Sequence, residues 1–181
     1  MINCKQSQLE NINEVIKCKK IIILPTAQQK EILFKWFEGY RKIYNDTLNL
    51  IRHEYRFGIE HLILDWKTLR SIFMEDRKHK YMESLGTPSH VLDGAIKAVC
   101  SAYKSALTNY KMGNIKHFVI RYIKKSKKDK VLELEKIIFN AGGFYTRFLG
   151  NMKTNKPFDF KSIKCDPKLH FDYTLNKFTL L

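Results

Sequence analysis

A chain of 181 residues, 44% hydrophobic and 13% aromatic, carries enough apolar surface to bury the core of one domain or two small interlocked ones, which excludes disorder throughout. Its 33 Lys and Arg against 18 Asp and Glu leave a formal charge of +15, well beyond what solubility needs, and point toward nucleic acid or an anionic surface. Four widely spaced cysteines (Cys4, Cys18, Cys100, Cys165) argue against a zinc ribbon or a disulfide framework and read as reduced thiols, and the longest aliphatic run, 21–24, is far too short to span a membrane.

Residues 1–17 are polar, rich in Asn, Gln and Glu, and read as a leader with no assigned function. They lack the apolar core of a signal peptide, so a soluble, intracellular protein with no membrane partner is expected. Residues 18–24, CKKIIIL, form a β-branched run ended by Pro25 and predict a strand. A single strand cannot stand alone, and the only strand-like partners lie after residue 115. Thr26 opens a long helix to about Arg52, with Gln29 completing a capping box. Ile32, Leu33, Trp36, Phe37, Tyr40, Ile43, Tyr44, Leu48 and Ile51 supply its apolar face. Gly58 breaks the pattern, and Asp65 N-caps a second helix using Trp66, Leu69, Ile72 and Phe73 that loses its period in EDRKHKYMES. Gly86 precedes a third amphipathic helix, N-capped by Thr87 with Pro88 at its first position and stopped by Gly113.

Beyond Asn114 the period changes from helical to alternating. Phe118, Ile120 and Tyr122 predict one strand face, and Leu132 and Leu134 the next. AGG at 141–143 is a turn, Phe144, Thr146 and Phe148 alternate again, a loop runs from Gly150, and 158–163 reads as a further strand. A closing hairpin places Leu169, Phe171 and Tyr173 against Phe178 and Leu180 across a turn at 174–176. The fold class is therefore α+β: a small antiparallel Greek-key or β-barrel-like domain, residues 18–25 plus 115–181, into which a helical subdomain, residues 26–114, is inserted.

Six histidines are scattered without metal-ligand spacing, and no phosphate-binding glycine loop, nucleophile elbow or HExxH motif occurs. Asp159, Asp166 and Asp172 read as turn and surface carboxylates. No catalytic residue, metal site or cofactor is therefore expected. Binding chemistry is concentrated instead: between residues 116 and 130 stand seven Lys or Arg against one Asp, namely Lys116, Arg121, Lys124, Lys125, Lys127, Lys128 and Lys130. Lysines at that density can neutralise successive phosphates, while Tyr122, Phe144, Tyr145 and Phe148 on nearby segments are candidate stacking faces, with core packing as the alternative. The cluster itself has a plainer alternative, a solvated hairpin tip.

The segment LPTAQQKEILFKWFEGYRKIYNDTL at 24–48 resembles the N-terminal helix-turn-helix region of the OrfB/TnpB transposon proteins, in which a strand meets "PT", a helix follows and an R-x-x-Y-N signature closes the run. Arg41, Tyr44 and Asn45 match that signature; Glu38 stands where the family usually has a glycine, and Gly39 follows it. Residues 87–126 are similar to the family's second block, and CDPKLHFDYTLNKFTLL at 165–181 to the hairpin that leads into its nuclease domain. The resemblance implies a wedge domain built from the strands and a recognition lobe built from the helices, holding a structured guide RNA and double-stranded target DNA, with Arg41 and Asn45 among the contact residues. In that family, cleavage belongs to a RuvC-like nuclease domain with acidic metal ligands and a zinc-binding cysteine cluster, and neither motif is found in this sequence.

The expectation is therefore a transposase-related nucleic-acid-binding protein that does not cut, corresponding to the family's N-terminal half through truncation, a split gene or decay. A second reading makes it the binding half of an enzyme whose nuclease is a separate chain, and a third an inert relic or protein-interaction module. The signature assigns opposite jobs to neighbours on one helix: Tyr44 falls on the apolar stripe and should pack, whereas Arg41 lies off it and should face the ligand.

Overall fold

The computed structural model describes residues 19–55 and 65–181. The polar leader, Cys4, Cys18 and Gly58 lie outside the described residues. Strand β1 (Ile21–Ile23) ends before Pro25, and helix α1 (Ala27–Tyr55) begins after Thr26. The capping box forms in both directions, Thr26 N–H donating to Gln29 Oε1 at 2.8 Å and Gln29 N–H to Thr26 Oγ1 at 3.2 Å. Gln29 is buried and its Nε2 also donates to the carbonyls of Leu149 (2.7 Å) and Asn151 (3.1 Å), so the cap ties a late loop to the start of the helix.

Asp65 caps a short helix, α2 (Trp66–Thr68), by accepting from the amides of Lys67 and Thr68, and a wide π-type turn (Leu69–Phe73) follows. The charged stretch after it is not irregular. It forms α3 (Glu75–Leu85), ended by Gly86 in the left-handed region at φ 62°. Its period fades because polar contacts hold it: buried Lys78 meets buried Asp93 of the next helix at 2.6 Å, and Tyr81 donates to Asp46 at 2.8 Å. The Trp36 indole donates to the Gly86 carbonyl at 2.9 Å and fixes the helix end.

Helix α4 (Ser89–Lys111) starts two residues after Thr87. Thr87 does not cap it. Pro88 stands at the cap, and the Thr87 hydroxyl is buried against Gly39, where an added Cβ would come within 2.3 Å of that oxygen. Gly39 therefore permits the close approach of α1 to the start of α4. The far end matches expectation, with Gly113 at φ 75° accepting the stop.

After α4, residues 115–129 run without helix or strand to β2 (Lys130–Glu133). Strands β3 (Phe139–Asn140) and β4 (Gly143–Phe144) make a two-stranded ribbon across the AGG turn. A one-turn helix, α5 (Thr146–Leu149), replaces the strand expected through Phe148, because Tyr145 adopts φ 48° and turns the chain. A 3₁₀ turn at Phe160–Ser162, capped by Asp159, replaces the strand expected at 158–163. The hairpin of β5 (Lys168–Asp172) and β6 (Lys177–Leu180) forms as expected, with Asn176 at φ 46° in its turn.

The strand isolated in sequence finds its partner at the far end of the chain: β1 pairs antiparallel with β6, Ile22 opposite Thr179. The sheet order is β1-β6-β5-β2, all antiparallel. It does not close into a barrel among the described residues; Leu24 N–H donates to the Lys153 carbonyl and Asn155 N–H to the Ile22 carbonyl, so residues 153–155 flank the outer side of β1. The fold is α+β with antiparallel sheets, and helices and sheet share one core. Phe34 and Phe37 of α1 meet Phe171 and Phe178, with Phe34 edge-on to Phe171 at 4.9 Å between centroids.

Candidate nucleic-acid interface

Turn by turn along α1 a polar stripe runs beside the apolar face: Glu38, Arg41, Asn45, Asn49 and Arg52, spaced three or four residues apart. Its C-terminal part clasps the segment that carries the cations. The Asn45 amide donates to the Ile123 carbonyl (3.0 Å) and accepts from the Ile123 N–H (2.9 Å), so one side chain supplies the donor–acceptor pair that a neighbouring strand would. Asn49 Oδ1 accepts from the Tyr122 hydroxyl at 2.8 Å. Arg52 donates to the Ile120 carbonyl at 2.5 Å and lies 4.4 Å from the centre of the Tyr122 ring.

This clasp explains why residues 116–122 alternate without forming a strand. Phe118 packs on Tyr103 and Tyr110 of α4, Ile120 on the core and Tyr122 on α1. The shared face expected from sequence exists, but it is laid on two helices rather than on a sheet.

Held in this way, the basic turn is pinned at its other end by Asp129, whose carboxylate accepts from the Tyr173 N–H at 2.9 Å in the β5–β6 turn. Lys128 lies 4.9 Å from the centre of the Tyr173 ring. Arg121, Lys124, Lys125, Lys127 and Lys128 are exposed, and Lys130, half-buried, donates to the Lys127 carbonyl at 3.3 Å.

A cleft of about 160 Å³ separates this turn from α1 and β2, lined among others by Arg41, Lys124, Lys127, Lys130, Lys168 and Glu38. The structure therefore brings Arg41 together with Lys124, Lys127 and Lys130. It adds Lys168, whose place in β5 left it apart from the cluster in sequence, and which lies 3.4 Å from Glu133 across the β2–β5 pair. Arg41 does not face solvent alone. Its guanidinium holds Glu38 through two bonds, Nε to Oε2 at 2.8 Å and Nη2 to Oε1 at 2.6 Å. That hydrogen bonding lowers the Glu38 carboxyl below its ordinary value and raises Arg41 above its own.

Lys116 sits apart, in a larger groove of about 660 Å³ with Arg52, His117 and the aromatic rings of Tyr103, Tyr110 and Phe118. Asn45 is placed beneath the basic turn, with its amide committed to holding it. Tyr44 is half-buried and packs against the core, as the stripe requires.

Among the aromatics proposed for stacking, Phe144 is fully buried and unavailable, and Tyr145 packs edge-on against Trp36 at 5.1 Å between centroids. Phe148 (58% exposed) and Tyr122 (40%) keep accessible faces. Tyr173, 54% exposed, stands beside Lys128, although in sequence it reads only as the last inward position of a strand. Of the three aspartates that could suggest a metal, Asp159 and Asp172 are turn carboxylates, accepting from the Lys161 N–H and the Leu175 N–H, and Asp166 accepts from the distant Lys136 N–H and lies 3.6 Å from Lys97. No described helix is long and apolar enough to cross a membrane.

A family model described as a helix-turn-helix domain, that of the OrfB proteins, matches residues 11–59; β1 and α1 are the described part of that match. Three proteins of Acanthamoeba polyphaga mimivirus are similar to this chain. TnpB-like protein L770 and TnpB-like protein R854 are each 30% identical over 152 residues, and TnpB-like protein L79 is 31% identical over 151. Each alignment covers 78% of this chain but 29% of the relative, so the chain spans under a third of the length of these relatives.

Proposed function

The chain belongs to the OrfB/TnpB family, and from that premise we propose that it grips the phosphate backbone of a structured, guide-like RNA, and of duplex DNA beside it, through the basic turn at 121–130. The observation that carries this reading is the clasp. Asn45, Asn49 and Arg52 hold the preceding segment on α1, so the cations stand as one fixed array beside Arg41 rather than as a loose tail. A merely solvated tip would not need three side chains of a buried helix to hold it in place. The sheet with its flanking loops corresponds in this proposal to the family's wedge domain and the helices to its recognition lobe.

Binding without cleavage by these residues is part of the proposal. It is supported by the commitment of Asp159, Asp166 and Asp172 to backbone amides, since a two-metal or hydrolytic site needs carboxylates that converge on one ion. Nicking of supercoiled DNA with Mg²⁺ that persists through repurification would refute it. A nuclease supplied by a separate chain is compatible with the same interface.

The binding claim is tested by salt dependence. If about five of Arg121, Lys124, Lys125, Lys127, Lys128 and Lys130 engage phosphates of single-stranded RNA, together they contribute about −3.5 to the slope of log K against log salt. Replacing all six by Gln should remove that share. Replacing the exposed helical and loop set Lys35, Lys67, Arg77, Lys80, Lys104 and Lys164 should not. Equal losses from both sets would make binding diffuse and overturn the assignment.

A further inference from the structure

Resting on that proposed interface, we infer that the cleft between α1 and the basic turn is a seat for a single backbone phosphodiester, and that Glu38 occupies it in the free protein as a built-in competitor for Arg41. The Arg41 guanidinium presents its fork edge to the Glu38 carboxylate through two bonds of 2.8 and 2.6 Å. A phosphate with two free oxygens fits the same fork. The carboxylate is therefore a chemical mimic of the ligand, placed one helical turn from the arginine it blocks.

The other anions of the cleft are already committed. Asp129 accepts from the Tyr173 amide, and Glu133 faces Lys168. Among the described residues neither Lys124 nor Lys127 is ion-paired, so two ammonium groups line the cleft beside the occupied fork. An entering phosphodiester exchanges one anion for another at Arg41 and gains both lysines, whereas Glu38, with side-chain exposure of 30%, swings to water. The depressed Glu38 carboxyl agrees with this, because it is the carboxylate, not the acid, that holds the arginine. Glu38 thereby sets a threshold: weak or isolated anions do not displace it, and a polyanion already held by the basic turn does.

The test is a double-mutant cycle read as affinity for a single-stranded RNA oligonucleotide, with thermal melting of each variant alongside. Glu38→Gln should tighten binding about two- to fivefold, the range of a partly exposed pair. In an Arg41→Ala background it should change affinity less than twofold. Glu31→Gln, which breaks an exposed ion pair at 2.9 Å on the same helix, should have little effect in either background. Equal tightening by Glu38→Gln with and without Arg41 would mean only a long-range charge effect and overturn the inference, as would weakened or unchanged binding. On the native chain, RNA should shift the Arg41 Nε–H resonance, and a resonance that stays put overturns it whatever the variants do. Should the native chain bind no RNA, this inference and the proposed function fall together. If binding depends on the basic turn but the cycle shows no coupling, only the competitor falls.

Discussion

The core between α1 and the sheet and the connection between α4 and β2 lie on the same helix yet are held by opposite means. Where α1 meets the hairpin, Phe34, Phe37, Phe171 and Phe178 interlock ring against ring. Where α1 meets residues 120–123, the contact is an amide, a second amide and a guanidinium reading backbone and hydroxyl groups. The first arrangement fixes the fold, and the second fixes where the charge is displayed. Stability and display should therefore be separable by mutation.

The largest effect is expected from the dry side. Trp36 is fully buried and its indole satisfies the Gly86 carbonyl, so Trp36→Ala should cost about 3–5 kcal/mol by denaturant unfolding, as large core truncations do. A cost below about 1 kcal/mol would show that the helices and the end of α3 are not joined through this residue.

A smaller global effect with a local signature is expected from the polar side. Asn45→Ala removes two hydrogen bonds to Ile123 and should lower stability by about 1–2 kcal/mol. It should also raise hydrogen exchange at the Ile123 amide far more than at the sheet amides. If both regions exchange faster in step, the clasp is part of the core, and stability and display are not separable.

The smallest effect concerns α3, which is held by Tyr81 and the Lys78–Asp93 pair. In the unfolded chain tyrosine ionises near pH 10, but burial, and donation to Asp46, push Tyr81 up to about 12. The folded state thus keeps a proton that the unfolded state loses, and stability declines as pH rises from about 10 toward 12. Tyr81→Phe should lessen that decline while also removing the bond to Asp46. An identical alkaline profile in the variant would mean that Tyr81 contributes nothing to it.

The same contrast explains what could be read in the sequence. The capping box at Thr26 and Gln29, the stop at Gly113, and the hairpin closing the chain were legible because each is a local pattern whose chemistry is complete within a few residues. The late partner of β1 followed from the rule that a strand needs one. Helix α3 was not legible, since its anchors Asp93 and Asp46 are distant in sequence and polar. Alternation at 118–122 predicts a strand that the structure does not form, because alternation marks a shared face but cannot say whether the partner is a strand or a row of helix side chains. Aromatics at 144–148 and 158–163 misled because a residue at positive φ and an Asp-capped turn bend the chain between them. For the site, the cations of the basic turn were evident as a run. The convergence with Arg41, the recruitment of Lys168 and the competing carboxylate needed the fold.

Lysine footprinting in the presence and absence of saturating RNA tests the central claim most directly, that the clasped turn is the binding surface. Acetylation of Lys124, Lys125, Lys127 and Lys128, read by mass spectrometry, should fall at least about fivefold on binding, because an ammonium against a phosphate is withheld from the reagent. Lys35, Lys67 and Lys80, exposed on the helices, should react as before. Protection spread evenly over both sets, or confined to the helical one, would contradict the account.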